Sequence, residues 1–217
     1  MRLKFPATPH AGFTILELMI ASSVFAVILL VVAIGAVRFS NDYYKGITSS
    51  KTQTTTRAIM SEISQAIQFG KSVSTIPEDA SGVAGLCIDN TLYSFMLGQQ
   101  VTDTTPNAAL HQDYHGLVVD NGSNCSAGTA PALPATSVLP AGSRELLGQH
   151  MRLSALTVSG TGNVYAIHVR VIYGDDDLLA PVPSGSTDWS AESCSGTTGS
   201  QFCAVSDLTT TVEQRLQ

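Results

Sequence analysis

Gly12-Phe13-Thr14-Ile15-Leu16-Glu17-Leu18-Met19-Ile20-Ala21 opens an apolar run that continues to Val37. Between Phe13 and Val37, about 25 residues, Glu17 is the only full charge. As a helix rising about 1.5 Å per residue the run reaches roughly 37 Å, enough to cross a hydrocarbon core of about 30 Å with some tilt. Arg2 and Lys4 precede it with no acid beside them. The orientation rule therefore keeps residues 1–12 in the cytoplasm and sends the rest of the chain outward.

A secretory signal peptide has the same outline, a positive start and then an apolar stretch. The run is longer than the usual apolar region of such signals, and its best small-residue cut site, Ala33-Ile34-Gly35, is poor. Glu17 sits one turn inside the run, where an ionisable group costs on the order of 3 kcal/mol and is by default functional. An ordinary membrane anchor has no use for it.

These residues carry a family resemblance. Gly12-Phe13-Thr14-Ile15-Leu16-Glu17 followed by an uncharged helix resembles the class III signal of type IV pilins and type II secretion pseudopilins. The resemblance implies that a prepilin peptidase cuts after Gly12 and methylates the new amino terminus on Phe13, and that the apolar helix is retained. It implies as partners other pilins or pseudopilins through this helix, the prepilin peptidase/methylase and an inner-membrane assembly platform. The physical reason for Glu17 stands beside the resemblance. Cutting at Gly12 leaves a cationic amine on Phe13, next to the unsatisfied N–H groups of the helix start, and a carboxylate in apolar surroundings needs a cation. The amine of an adjoining subunit supplies one and sets the register between subunits.

The resemblance implies an α+β fold of the type IV pilin kind, a long N-terminal helix packed on an antiparallel β-sheet head. The expected organisation is a cleaved leader over 1–12, a transmembrane and filament-core helix over 13–37, an amphipathic continuation over 38–69 and a globular β-rich head over 70–217. Pro6 and Pro9 suit an extended leader. Beyond Val37 no proline stops the helix before Phe69, although Gly46 and the Thr/Ser-rich run from Thr48 to Thr56 are weak helix formers, so this middle portion is expected to bend or melt. Ile59, Met60, Ile63, Ala66, Ile67 and Gly70 repeat at helical spacing and form one apolar face for a sheet. Gly70 and Lys71 give a C-terminal glycine stop.

About 148 residues from Gly70 onward suffice for a single core. Val83–Ile88 and Thr91–Leu97 flank an Asp89-Asn90 turn and predict a hairpin. His115–Val119 is a further strand candidate, and a Pro/Ala/Ser-rich surface loop follows over 126–142. Met151–Val158 and Val164–Tyr173 form the clearest hairpin, around a turn at Ser159–Asn163. The second strand alternates Tyr165, Ile167, Val169, Val171 and Tyr173 against Val164, Ala166, His168, Arg170 and Ile172, which predicts one buried face. Tyr173-Gly174-Asp175-Asp176-Asp177 and the Phe202–Val205 segment are similar to the larger minor pilins of the PilW group and to J-type pseudopilins.

Cys87, Cys125, Cys194 and Cys203 all lie in the head, and an even count beyond an export segment predicts two disulfides. Three connectivities are open; the short Gly/Ser/Thr loop favours Cys194 with Cys203, leaving Cys87 with Cys125. The spacings do not suit zinc, for want of a C-x-x-C pair. From Ser72 onward four Arg face 14 acids, so the head is acidic and is not expected to bind nucleic acid. Asp175, Asp176 and Asp177 are weak calcium candidates, since consecutive acids do not face one ion together; a solvated turn is the expected state and no cofactor is required. His111 and His115 with Asp113 are expected in a surface loop rather than around a metal. No nucleophile elbow, phosphate loop or zinc-protease pattern occurs, so an enzyme is not predicted. The expected protein is a structural filament subunit, a minor pilin of a type IV pilus or a J-like pseudopilin of a secretion system. A membrane-anchored binding domain is the reading from another class. Its expected places are the inner membrane with the head in the periplasm, then an extracellular pilus or a periplasmic pseudopilus.

Overall fold

The computed structural model describes residues 14–101, 115–122, 125, 133, 139, 141–180, 192–196 and 199–215. The chain divides into two compact units, Met1–Tyr43 and Tyr44–Gln217. One helix, α1, runs from Ile15 to Phe69.

In the first unit Thr14 stands just ahead of α1, and its Oγ1 accepts the Glu17 N–H at 3.2 Å. This satisfies one of the orphan donors of a helix start, half of a capping box built on the spacing Thr14-x-x-Glu17. The apolar side chains from Ile15 to Val37 are exposed, Ile15 by 81% and Phe25 by 62%. By length and composition the helix is able to cross a membrane, and its most apolar window has no buried residue.

In the second unit Thr48, Thr52, Thr56, Ile59, Met60, Ile63 and Ile67 form one buried stripe along α1. The threonine run, expected to bend or melt, does not melt: α1 is continuous there. Thr52 Oγ1 donates to the Thr48 carbonyl and Thr56 Oγ1 to the Thr52 carbonyl, each at 2.8 Å, so the hydroxyls are satisfied by the preceding turn and the side chains bury as valines do. Thr48 Oγ1 also donates to the Gln201 carbonyl at 3.2 Å, tying the helix to the C-terminal part of the unit. Propensity has been overridden by packing.

Two sheets make the rest of the core. The first is an antiparallel meander in the order β1 (Val73–Ile76), β2 (Val83–Ile88), β3 (Thr91–Met96), β4 (Leu117–Asn121) and β5 (Ser143–Glu145). The second pairs β6 (Met151–Thr161) with β7 (Val164–Tyr173), and β7 with the last strand, β10 (Ala204–Glu213). A short pair, β8 (Leu179–Ala180) and β9 (Ser193–Cys194), lies between them in sequence. The apolar stripe of α1 meets both larger sheets: Ile63 and Ile67 share a core with Tyr93, Leu117, Ile167 and Val169. Each such side chain contributes about 1.5–3 kcal/mol through burial, which is what holds the helix to the sheets.

α1 ends before Gly70, as expected, and close packing is the reason for the glycine. Its N–H donates to the Ala66 carbonyl at 2.8 Å, and a Cβ there would meet that carbonyl oxygen at 2.7 Å and the Ile88 side chain at 2.9 Å. The glycine admits β2 close to the helix end. Asp89, at φ 52°, accepts the backbone N–H groups of Lys71 and Ser72 on one oxygen and fixes the exit from the helix.

Three further features of the sheets, the last of them not anticipated from the sequence, have physical reasons. The β6–β7 turn is tighter than expected, because Ser159–Thr161 stay paired with Val164–Ala166 and only Gly162 and Asn163 turn. The outer face of β7 is not fully exposed: Ile172 is buried in a second cluster with Leu179 and Cys203. β10 pairs with all of β7 although its Thr-rich sequence alternates weakly, an edge strand whose identity comes from its neighbour. His168 finds Asp207 of β10 at 2.8 Å, a satisfied polar residue on a strand face.

Candidate functional site

Gly12 and Phe13, expected at the cut, lie outside the described residues, as do His111 and Asp113 and most of the 126–142 loop. Glu17, described, sits in the first turn of α1 on the unburied unit. Its backbone is fixed by Thr14 and its carboxylate belongs to a surface of Ile15, Leu16, Leu18 and Met19, all more than half exposed. A lone carboxylate on an apolar, unburied helix start has two chemical uses, pairing with a cation brought by another molecule or accepting a proton. Thr14 is the residue sequence reasoning missed at this site, and the Thr-x-x-Glu spacing was the available signal.

The cysteines pair as Cys87–Cys125 and Cys194–Cys203, with Cα separations of 5.8 and 5.7 Å. The first bond links β2 to residue 125, whose chain stretch follows β4. The second brings β9 to the start of β10 and closes the loop that carries the 3-10 turn Ser200–Phe202 onto Tyr44 and Thr48 of α1.

The three consecutive acids are not a bare solvated turn. Asp175 Oδ1 accepts from Gln100 Nε2 at 2.7 Å and stands 2.8 Å from His150 Nδ1. Those two hydrogen bonds, His150 first, hold its carboxyl below the usual aspartate range. Asp176 Oδ1 takes a 2.6 Å hydrogen bond from Arg152 Nη2, and Asp177 lies in the exposed 3-10 turn Asp176–Leu178. The acids thus face different partners, and among the described residues no group of three or more His, Cys, Asp or Glu is arranged to hold a metal ion.

Arg152 is the centre of this region and was not singled out by sequence. Its side chain, on β6, is 5% exposed. Besides Asp176 it meets the Gly174 carbonyl at 3.2 Å and Glu192 Oε1 at 3.5 Å. Glu192 is equally buried, and Arg170 Nη2 on β7 donates to its backbone carbonyl at 2.7 Å. Burial pushes the Glu192 carboxyl above its ordinary value, with Arg152 opposing the shift. A buried guanidinium between two carboxylates fixes the turn after β7 and the strand β9 to the sheet. Its chemistry is that of a fastener.

Glu145 on β5 does similar work. Its carboxylate accepts the N–H groups of Gly116, Leu117 and Leu147 at 2.9–3.0 Å, and His115 Nδ1 lies 3.4 Å away. Burial pushes this carboxyl up while the three N–H groups oppose it. His115, weighed as a metal ligand, therefore stands beside a structural carboxylate at the start of β4.

Residues 8–33 match the model of the prokaryotic N-terminal methylation motif, which is typical of type IV pilins and pseudopilins. The match spans the Gly12–Phe13 junction, Thr14, Glu17 and most of the apolar half of α1. No curated protein and no solved structure matches the chain. The motif implies processing by prepilin peptidase and assembly with other pilins, and it indicates a structural protein anchored in a membrane by its first helix.

Proposed function

From a chain that carries the N-terminal methylation motif of type IV pilins and pseudopilins, we propose a minor pilin of a type IV pilus, cut after Gly12 and N-methylated on Phe13. The observation that carries this reading is the start of α1: an apolar helix with no buried side chains, bearing Glu17 as its one charge before Arg38. Such a surface is stable only in lipid or among other helices of its kind.

Before assembly the helix lies in the inner membrane with the head in the periplasm. Cleavage places a methylated, cationic amine on Phe13, four residues before Glu17. In the filament Glu17 meets the amine of an adjacent subunit. The pair neutralises both charges in an apolar setting and fixes the axial register, because a one-turn slip leaves both unpaired. Thr14 supports the arrangement by holding the first turn of α1 in helical form ahead of the carboxylate. The head, with about 148 residues from Gly70 onward, suits a tip or priming position, where fewer neighbours limit its size.

Replacing Glu17 with Val tests this directly. Membrane insertion is expected to persist, since the change makes the segment more apolar, and the protein is expected to disappear from sheared filaments. Unchanged incorporation of the Glu17→Val chain overturns the proposed role.

A further inference from the structure

β6 is an outer strand of its sheet, and its two halves differ. The first half is covered: the Met151 and Leu153 carbonyls accept the N–H groups of Val101 and Gly98 at 2.9 and 2.8 Å. From Leu156 to Thr161 the strand pairs only with β7 among the described residues. This stretch, Leu-Thr-Val-Ser-Gly-Thr, has no charge and no proline. Natural edge strands normally carry lysine, proline or a bulge against unwanted pairing. The bulge of β6 lies earlier, between Leu153 and Ala155, inside the covered half.

Beside the open half lies a groove of about 340 Å³. Leu156, Thr157 and Val158 line one side, and Ala84, Leu86 and Phe95 of the first sheet line another. Thr75, Ile76, Pro77 and Glu78 complete the lining, and among the described residues Glu78 is the only charged one there. An exposed carboxylate lining an apolar groove, next to strand backbone that has no second partner among the described residues, defines the occupant by chemistry. Backbone complementarity calls for an extended chain, the groove for apolar side chains at alternate positions, and Glu78 for one Lys or Arg beside it.

We propose that β6 takes an added strand over Leu156–Thr161, supplied by another protein chain with alternating apolar residues and a basic residue opposite Glu78. The second sheet, ordered β10-β7-β6, thereby gains a fourth strand, and the groove beside it closes. This surface lies wholly within the unit Tyr44–Gln217 and is independent of Glu17 and of the processing site.

The test places the photo-crosslinking residue benzoylphenylalanine at Thr157 in the full chain, in the cells that make it, with Thr209 on β10 as the control position. Thr157 and Thr209 are both exposed. The expected result is an adduct from Thr157 alone, mapping by peptide sequencing to an extended segment of a different protein with that apolar and basic pattern. Glu78→Lys, in a chain whose melting temperature is unchanged, is expected to lower the adduct yield about five-fold or more, as reversal of a complementary charge requires. An adduct to this protein's own sequence, from the same chain or a second copy, overturns the proposal. So does the absence of an adduct, or one whose peptide lacks the pattern or whose yield ignores Glu78→Lys. A methylated Phe13 peptide recovered from filaments in the same cells leaves the pilin reading standing in each of those cases.

Discussion

Arg152→Met is the most informative single change in the head. The guanidinium is 5% exposed and touches Glu192, Asp176 and the Gly174 carbonyl. Methionine fills much of the same space but leaves buried Glu192 without the guanidinium paired to its carboxylate, and removing one partner of a buried pair costs about 3–5 kcal/mol. Asp176, 84% exposed on its side chain, is returned to water and adds little. Replacing Glu192 with Leu as well removes the stranded charge, so the remaining loss is that of the backbone carbonyls, about 1–2 kcal/mol. The double variant is thus expected to be more stable than Arg152→Met alone, a coupling of about 2 kcal/mol or more. The pH dependence has a definite sign. Glu192 already holds its proton more tightly in the folded chain than in the unfolded chain, so its ionisation lowers stability as pH rises from the ordinary glutamate range through the folded value. Loss of Arg152 removes the larger of two opposing influences, Arg170 being the other, and carries that window to higher pH. Arg152→Met therefore costs most near neutrality and less as the solution is acidified toward the point where Glu192 is neutral. Urea unfolding of the full chain in detergent, followed by tryptophan-independent far-UV dichroism at several pH values, reads these differences. A double variant no more stable than Arg152→Met, or a pH-independent loss, refutes the role given to the buried pair.

Other consequences are simpler to read. Replacing Cys194 and Cys203 by Ala opens a loop of sequence separation 9 and is expected to cost about 3 kcal/mol, whereas the Cys87–Cys125 loop, of separation 38, is expected to cost about 4 kcal/mol. Unfolding midpoints of the two paired variants give the order. Ile63→Ala, at a fully buried position, is expected to cost about 2–5 kcal/mol of head stability in the same unfolding assay. Ile28→Ala, 54% exposed on the first unit, is expected to change it by less than about 0.5 kcal/mol.

The parts of the fold legible in the sequence were those with strong periodicity or strong chemistry. The stripe Ile59, Ile63, Ile67 and the β6–β7 hairpin follow from apolar spacing, and Glu17 stands out as one charge in an apolar run, whereas the cut between Gly12 and Phe13 rests on the family resemblance alone. What escaped depends on contacts distant in sequence. Thr48, Thr52 and Thr56 look helix-breaking until their hydroxyls are seen bonded to the preceding turn and their methyls buried. β10 is not foreseen as a strand because its pairing with β7 supplies the order that its own Thr-rich residues do not. Asp175 and Asp176 resemble a loose acidic turn, since the arginine that organises Asp176 lies 24 residues earlier on another strand. Glu145 and Glu192 are ordinary carboxylates in sequence and become fasteners only when β4, β6 and β7 are brought to them.

The most direct measurement is mass spectrometry of filaments sheared from cells that produce this chain. A peptide beginning at N-methylated Phe13, with residues 1–12 absent, is the result a processed minor pilin predicts. A chain absent from the shear fraction and abundant, equally processed, in a secretion-system complex contradicts the pilus and favours the pseudopilin; a chain retaining Gly12 joined to Phe13 contradicts processing itself.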